Sequence, residues 1–340
     1  MKVIIDIDHP AAINFYKNAI NILAEKGTEV EIAVRPRGNI LSILQKELPG
    51  FHFEIIGKYY SSISGKIIGY IERELGLIHY LSKTNFDIST GFGSEICYAS
   101  RILGKPSVIF EDDYEYKLTF YLSKFAATRF IMPDYIPASG RNIYKYRGLK
   151  ELAYLHPKYF KPNKKILDQY KLKPNEYVFI REIANTSLNY RKISSRLYEI
   201  IRYLEEIGFQ SIVSIEDESL IRRFKKNCIV LEEPVEDIYS LLSFAALTIS
   251  SGDTMARESC LVGTPTIYTG GRNMSVNKEL IKRKCMFKVD NMEELRNIIK
   301  YINENNLKDD VKEIVDYYIK YEWDDVTKII VENLLDVLGD

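Results

Sequence analysis

The sequence predicts an α/β protein made of two doubly wound, Rossmann-like domains facing a cleft. Short apolar segments alternate with amphipathic helical stretches from the first residues onward, the pattern of parallel strands joined by crossover helices. That alternation stops in a stretch punctuated by Pro and Gly, residues 133–165, and then restarts. The length agrees: 340 residues is about twice a typical domain of roughly 100–200.

Lys2–Ile7 reads as the first strand. Ala12–Lys26 places Phe15, Ala19, Ile22 and Leu23 at helical spacing and closes on Gly27, which suits the left-handed position after a helix. Glu29–Val34 is the second strand, Asn39–Glu47 a helix halted before Pro49, and Phe53–Ile56 the third strand. A Gly/Ser/Tyr loop, Gly57–Gly65, leads into a long helix over Lys66–Lys83. Along it Ile67, Ile68, Ile71, Leu75, Ile78 and Leu81 read as the stripe facing the core. With Tyr59 and Tyr60 they also admit a second reading, a rim touching a membrane or a lipid-linked substrate. Strands at Asp87–Thr90, Ser107–Phe110 and Arg129–Met132 enclose helices at Ser94–Leu103 and Glu115–Phe125. The interdomain linker is expected near Tyr154–Lys165. Beyond it come strands at Tyr177–Arg181, Gln210–Ile215, Cys228–Leu231, Leu247–Ser250 and Thr264–Tyr268, with a helix at Tyr190–Glu206 ended by Gly208. Three helices finish the chain: Met292–Asn303, Asp309–Tyr318 and Asp324–Leu338. The domains are therefore expected at 1–155 and 166–322, with a C-terminal segment at 323–340.

Composition narrows the function. Lys+Arg and Asp+Glu are 47 each, so no global basic footprint for nucleic acid exists and no nucleic-acid partner is expected. No apolar run approaches the roughly 20 residues that span a bilayer. The opening Met1–Asp6 reads as a strand and not as a leader, so a cytoplasmic location is expected, with peripheral contact at the inner face of a membrane as the alternative. Cys97, Cys228, Cys260 and Cys285 form no C-x-x-C pair, and His9, His52, His79 and His156 lack metal-ligand spacing. Neither disulfides nor a metal site are expected.

Ligands of such sheets bind beyond the carboxyl ends of the strands, so polar residues there are the candidates. After Leu247–Ser250 the chain runs Ser251, Gly252, Asp253, Thr254 into a helix, whose free amides and dipole suit a pyrophosphate. Glu258, about one turn in, is placed for a ribose diol. An ordinary strand–helix turn capped by Ser and Asp is the plainer reading. Arg181 ends a strand as a diphosphate partner or a surface ion pair. Asp8 and His9 follow the first strand, as acid/base groups or with Asp8 as a helix cap. Glu111, Asp112 and Asp113 follow another strand; three acids together repel, so one should hold a proton more tightly and suit proton transfer, unless they form a solvated cap. Gly91 and Gly93 permit close approach of the backbone to a ligand. Arg35 and Arg37 form a basic loop, read as solvated in preference to an anion contact.

Two segments, Phe86–Ser94 and Leu103–Glu111, resemble UDP-N-acetylglucosamine 2-epimerases and related GT-B glycosyltransferases, and residues 248–267 resemble the nucleotide-binding segment of that superfamily. Gly148–Pro157 and Asp6–Phe15 resemble a largely archaeal GT-B-like family, domain of unknown function 354. The resemblance implies a nucleotide sugar held mainly by the second domain, with Ser251–Thr254 facing the diphosphate and Glu258 the ribose. It implies a C-terminal helix that crosses back to the first domain, and leaving-group charge met by amides and basic side chains without an obligatory metal. The catalytic Glu of the epimerases matches Glu111, while Ser94 stands where they carry an Asp. The leading expectation is therefore a metal-independent glycosyltransferase. It would use a UDP-sugar donor, no other cofactor, and an unidentified acceptor, with a lipid-linked one among the options; Asp8, His9, Glu111 or Asp112 would be its base. The alternatives are a UDP-N-acetylhexosamine 2-epimerase or hydrolase, and a non-catalytic nucleotide-sugar-binding protein. An Mg²⁺-dependent phosphatase built on Asp6-Ile7-Asp8 is disfavoured by Pro10.

Overall fold

The computed structural model describes residues 1–60, 62–182, 197–215, 224, 228–232 and 235–337. They fall into two compact units, Met1–His156 with Trp323–Asp340, and Pro157–Glu322. The first unit is built on a seven-stranded sheet: β1 (Lys2–Ile7), β2 (Glu29–Val34), β3 (Phe53–Ile55), β4 (Ile88–Phe92), β5 (Ser107–Phe110), β6 (Arg129–Pro133) and β7 (Ile143–Tyr146). Its order is β3-β2-β1-β4-β5-β6-β7 and every pairing is parallel. The order reverses at β1, so right-handed crossovers send α1 (Pro10–Glu25) and α2 (Ile40–Glu47) to one face, and α3 (Ile63–Lys83), α4 (Glu95–Ile102) and α5 (Lys117–Ala126) to the other. Leu77 and Leu81 of α3, Ile96 and Ala99 of α4 and Phe120 of α5 share one core with Ile4, Ile109 and Phe130 of the sheet.

Strand β7 lies inside the stretch that sequence reading leaves without an element. Pro133, Pro137 and Gly140 conceal it, yet Phe130–Pro133 pairs residue by residue with Ile143–Tyr146. A short helix, α6 (Leu152–Leu155), follows, and the unit boundary falls at His156–Pro157.

The second unit carries α7 (Ile166–Tyr170) and a six-stranded parallel sheet of β8 (Tyr177–Glu182), β9 (Gln210–Ile215), β10 (Ile229–Val230), β11 (Leu247–Ser250), β12 (Thr266–Tyr268) and β13 (Met286–Lys288). The order β10-β9-β8-β11-β12-β13 repeats the doubly wound plan. Its helices are α8 (Leu197–Glu206), α9 (Ile238–Phe244), α10 (Asp253–Leu261), α11 (Ser275–Lys282), α12 (Met292–Glu304) and α13 (Leu307–Tyr321). The helix expected from Tyr190 is described from Leu197 on; its first part lies outside the described residues. All four cysteines are free.

The last helix, α14 (Val326–Asp336), belongs to the first unit and packs on α1. Polar ties fix the return. The Arg147 and Asp324 backbones and side chains bond reciprocally, with the Arg147 amide 2.7 Å from the Asp324 carboxylate. Thr327 Oγ1 and Asn18 Nδ2 both donate to the Ala153 carbonyl, at 2.6 and 2.8 Å. Gly148 makes the close approach: at φ +109° a Cβ there would lie 2.8 Å from Leu152 and 3.1 Å from Trp323.

Helix α3 is rotated relative to the sequence expectation. Ile67, Ile68, Ile71 and Leu75 are exposed, and the buried line runs through Arg73, Leu77 and Leu81. The cause is electrostatic. Arg73, fully buried, forms an ion pair with Asp6 of β1, which is 1% exposed, and donates to the Ile56 carbonyl at 2.7 Å. Residues 71 and 75 lie about half a turn from 73, so satisfying Arg73 turns the aliphatic stripe outward. Burial pushes the Asp6 carboxyl up to about 7 against the pull of Arg73. Both carboxyl oxygens of the adjacent Glu74 are buried without a hydrogen-bond partner. Burial, together with Glu95 and Asp6, pushes Glu74 up to about 7.

Two outcomes are expected. Arg73→Met leaves Asp6 buried without its countercharge. Urea unfolding followed by fluorescence of the chain's one tryptophan, Trp323, should show a loss of about 3–5 kcal/mol at pH 8, and less at pH 5, where Asp6 is protonated. Folded Glu74 holds a proton up to about pH 7 whereas the unfolded carboxyl releases it near its ordinary value of 4.5, so its contribution is present at low pH and lost as pH rises through that window. Glu74→Gln should match the parent at pH 4 and exceed it by about 1–2 kcal/mol at pH 8.

Candidate functional site

Each unit gathers polar side chains at the carboxyl edge of its sheet, and each cluster is built by its own strands. In the first unit β1 leads into Asp8, half-buried, and His9, exposed. His9, not Asp8, caps α1: its Nδ1 accepts the Ala11 amide at 3.2 Å. A neutral His9 therefore carries its proton on Nε2, and taking a proton at Nδ1 would cost the cap.

Gly91 lies in the last part of β4 and Gly93 in the loop after it. A Cβ at Gly91 would stand 3.0 Å from the Asp6 Cβ and 3.1 Å from Ile96, so the approach that Gly91 permits is between parts of the chain itself. Gly93 takes φ +88°, and a Cβ there would meet nothing within 4 Å. Next along the loop, Ser94 Oγ pairs with Tyr70 Oη of α3 at 3.0 Å. Glu95 opens α4, is 6% exposed, and is ion-paired with Arg35. The loop expected to be solvated thus sends Arg35 inward to a buried acid. Burial raises the Glu95 carboxyl and Arg35 opposes the rise.

The acids after β5 are organised by their own backbone and by a distant lysine. Glu111 Oε1 accepts the amides of Asp112 and Asp113, at 3.0 and 2.9 Å. Burial and the Asp112 carboxylate push Glu111 up to about 8. Asp112, 7% exposed, receives Lys150 Nζ at 2.7 Å. Lys150 comes from the 148–157 stretch and lies 5.5 Å from the centre of the Phe92 ring. Phe15 of α1 packs edge-on against Phe92 and Phe110 at 4.9 and 5.1 Å, a rigid floor under both loops.

In the second unit Arg181 is next to last in β8, and its Nη1 donates to Ser214 of β9. The Ser251 amide donates to the Arg181 carbonyl at 3.0 Å, locking the exit of β11 to that of β8. Gly252, extended at φ −95°, is the N-cap of α10 and has no side chain to occupy its first amides. Asp253, 5% exposed, is turned inward: it accepts Tyr268 Oη at 2.5 Å, Asn277 Nδ2 at 3.2 Å and Arg272 Nη1 at 3.3 Å. Thr254 is half-buried beside it. Glu258, 6% exposed, accepts the Tyr239 hydroxyl at 3.2 Å.

The sequence reading passed over Arg73, Glu74, Glu95, Lys150 and Arg272. Two signals were available: a charge on the inward line of α3, and a Gly270-Gly271-Arg272 turn directly after a strand. Among the described residues, no group of three or more His, Cys, Asp or Glu side chains is arranged to hold a metal ion.

Solved structures share this arrangement of strands and helices. UDP-N-acetylglucosamine 2-epimerase from Rickettsia bellii superposes with a TM-score of 0.74 at 14% identity, covering 100% of this chain and 97% of that one. The glycotransferase of kitacinnamycin gives 0.67 at 10%, covering 99% and 98%. At such identities the likeness carries the fold, two Rossmann-like domains of the GT-B kind. In sequence, the chain is 26% identical over 325 residues to the uncharacterised protein MJ0665 of Methanocaldococcus jannaschii, covering 90% of this chain and 92% of that protein. One family model spans residues 1–338, from the Asp6–Phe15 opening through the Lys150 stretch to α14, and the chain belongs to that family, described as protein of unknown function (DUF354).

Proposed function

We propose that this protein is a nucleotide-sugar-dependent enzyme, a glycosyltransferase with a UDP-sugar donor. The observation that supports it most is the strand–turn–helix at Ser250–Glu258: a helix whose glycine N-cap brings no side-chain cap bond, an arginine near the end of the neighbouring strand, and an oriented carboxylate one turn in. In this reading the amides of Asp253 and Thr254 at the start of α10 and the Arg181 guanidinium take the diphosphate, the Ser251 and Gly252 amides being held by the Arg181 carbonyl and Ser250 Oγ, and Glu258, steered by Tyr239, accepts the ribose hydroxyls. The Asp253 side chain braces the turn and leaves the contact to the backbone.

On the first unit Glu111 is the preferred base. It removes the acceptor hydroxyl proton as that oxygen bonds to the anomeric carbon and the bond from that carbon to UDP breaks, the charge passing to UDP. Asp112 raises the affinity of Glu111 for a proton and Lys150 lowers it. Asp8 is the second candidate. His9 is the weakest, because its Nδ1 holds the helix cap. Gly93 leaves backbone open beside these groups. The chemistry asked of these residues calls on no metal ion.

A specific observation also favours the second reading, epimerisation or hydrolysis of a UDP-N-acetylhexosamine. Glu95 stands one residue beyond Ser94, so a buried acid does occupy that turn, on the same sheet edge as Glu111. Incubation with UDP-N-acetylglucosamine alone separates the two: an epimerase or hydrolase turns it over, whereas a transferase leaves it nearly unchanged.

Calorimetric titration with UDP, GDP and ADP, with and without Mg²⁺, tests the nucleotide half. Metal-independent binding of UDP is expected, weakened about tenfold or more by Glu258→Ala. Absence of binding by folded protein would remove the assignment. For the base, UDP release should rise with pH through about 8, and Lys150→Met should move that midpoint upward, since Lys150 holds the Glu111 carboxyl down.

A further inference from the structure

Helix α5 is apolar on two sides. Phe120 and Ala126 face the core, while Leu118, Tyr121 and Phe125 stand out at 75%, 50% and 66% exposure. These three are spaced i, i+3 and i+7, one continuous outer stripe. Helix α3, in the same layer, presents Ile67, Ile71 and Leu75 at 61%, 54% and 62%, spaced i, i+4 and i+8. Between them α4 is sunk into the layer, with Ile96, Cys97, Ala99 and Ser100 buried. Two apolar ridges over a recessed helix thus form one face of the first unit, far more apolar surface than scattered exposed residues give.

The exposed charges of α4 and α5 on this face are cationic. Helix α5 carries Lys117 and Lys124 and no acid, and the exposed charge of α4 is Arg101. Arg101 lies 4.5 Å from the centre of the Phe125 ring and Lys124 lies 5.9 Å from that of Tyr121, so cations sit beside aromatic rings at the rim of the aliphatic surface. The nearby exposed acids are Glu72, whose carboxylate accepts the Tyr60 hydroxyl at 2.9 Å, and Glu115 ahead of α5. Aliphatic ridges, interfacial aromatics and a cationic rim match the layers of an anionic lipid surface. A second copy fits less well, because a two-fold interface sets a patch against itself and would bring cations to cations. Among the described residues no helix is long and apolar enough to cross a membrane, so the contact is peripheral.

We propose that the outer face of α3 and α5 is a docking surface for an anionic lipid bilayer. Helix α5 starts a few residues after Glu111–Asp113, and Tyr70 of α3 bonds Ser94, so the bilayer would lie on the side of the acid cluster of the first unit. The test is co-sedimentation of the full-length protein, without nucleotide, with vesicles of phosphatidylglycerol and phosphatidylcholine in equal parts and with phosphatidylcholine alone. Partition into the anionic vesicles, falling with added salt, is expected. Lys117→Glu with Lys124→Glu should lower it about tenfold or more. Leu118→Ser with Phe125→Ser should abolish it while Trp323 fluorescence reports unchanged unfolding. Protein that stays in the supernatant with anionic vesicles overturns the proposal, as does equal binding to both vesicle types. A stable dimer in analytical ultracentrifugation that Leu118→Ser with Phe125→Ser dissociates, without vesicle binding by the parent, assigns the face to a second copy and overturns it too.

Discussion

The buried ion pair of Arg73 and Asp6 sets the geometry of the first unit. Helix α3 carries two lines of side chains that could meet the sheet: Ile67, Ile71 and Leu75, and Arg73, Leu77 and Leu81. By apolar area alone the first would win, since each aliphatic side chain buried contributes about 1.5–3 kcal/mol. The second wins because Asp6, next to last in β1, is buried and Arg73 both neutralises it and reaches the Ile56 carbonyl. A buried pair adds little net stability over an apolar one, but it selects one rotation of the helix. That rotation puts Tyr70 against Ser94, shuts Glu74 into the layer, and leaves an aliphatic stripe outside.

A second constraint is the closure of the first unit by distant chain. The 148–157 stretch brings Lys150 to Asp112 and Ala153 to Asn18 and Thr327, and Gly148 gives Trp323 room to start the return. One short segment therefore couples three things: the acid cluster after β5, the packing of α1, and the seat of α14.

Strands and helices that bury an apolar face were legible in the sequence, because period and burial coincide there. The misreadings share one cause: a polar partner distant in sequence overrode a local pattern. Arg73 reversed the stripe of α3, Glu95 drew Arg35 out of solvent, and His9 took the cap for which Asp8 was the local candidate. Strand β7 was hidden differently, since Pro and Gly at its approach look like loop while its pairing with β6 needs only four residues. In the second unit the turn at Ser251–Thr254 was readable, because a strand, a glycine and a helix start are local features. The inward commitment of Asp253 was not, since Tyr268, Arg272 and Asn277 come from later elements.

Asp6, Glu74 and Glu111 all hold protons more tightly than ordinary carboxyls, with burial as the largest cause in each. For Asp6 and Glu74 this favours the folded state at low pH, an advantage lost as pH rises through about 7, and for Asp6 the ion pair with Arg73 opposes the rise. Glu111 differs, because in the proposed role its charged form does the work. The burial that raises it also makes it a stronger base once ionised, while lowering the fraction ionised near neutrality. Lys150 and the amides at Oε1 counter that loss. All three therefore titrate near neutrality, Asp6 and Glu74 at about 7 and Glu111 at about 8. The difference lies in what faces each carboxyl: Glu74 has no hydrogen-bond donor at either oxygen, whereas Glu111 has two.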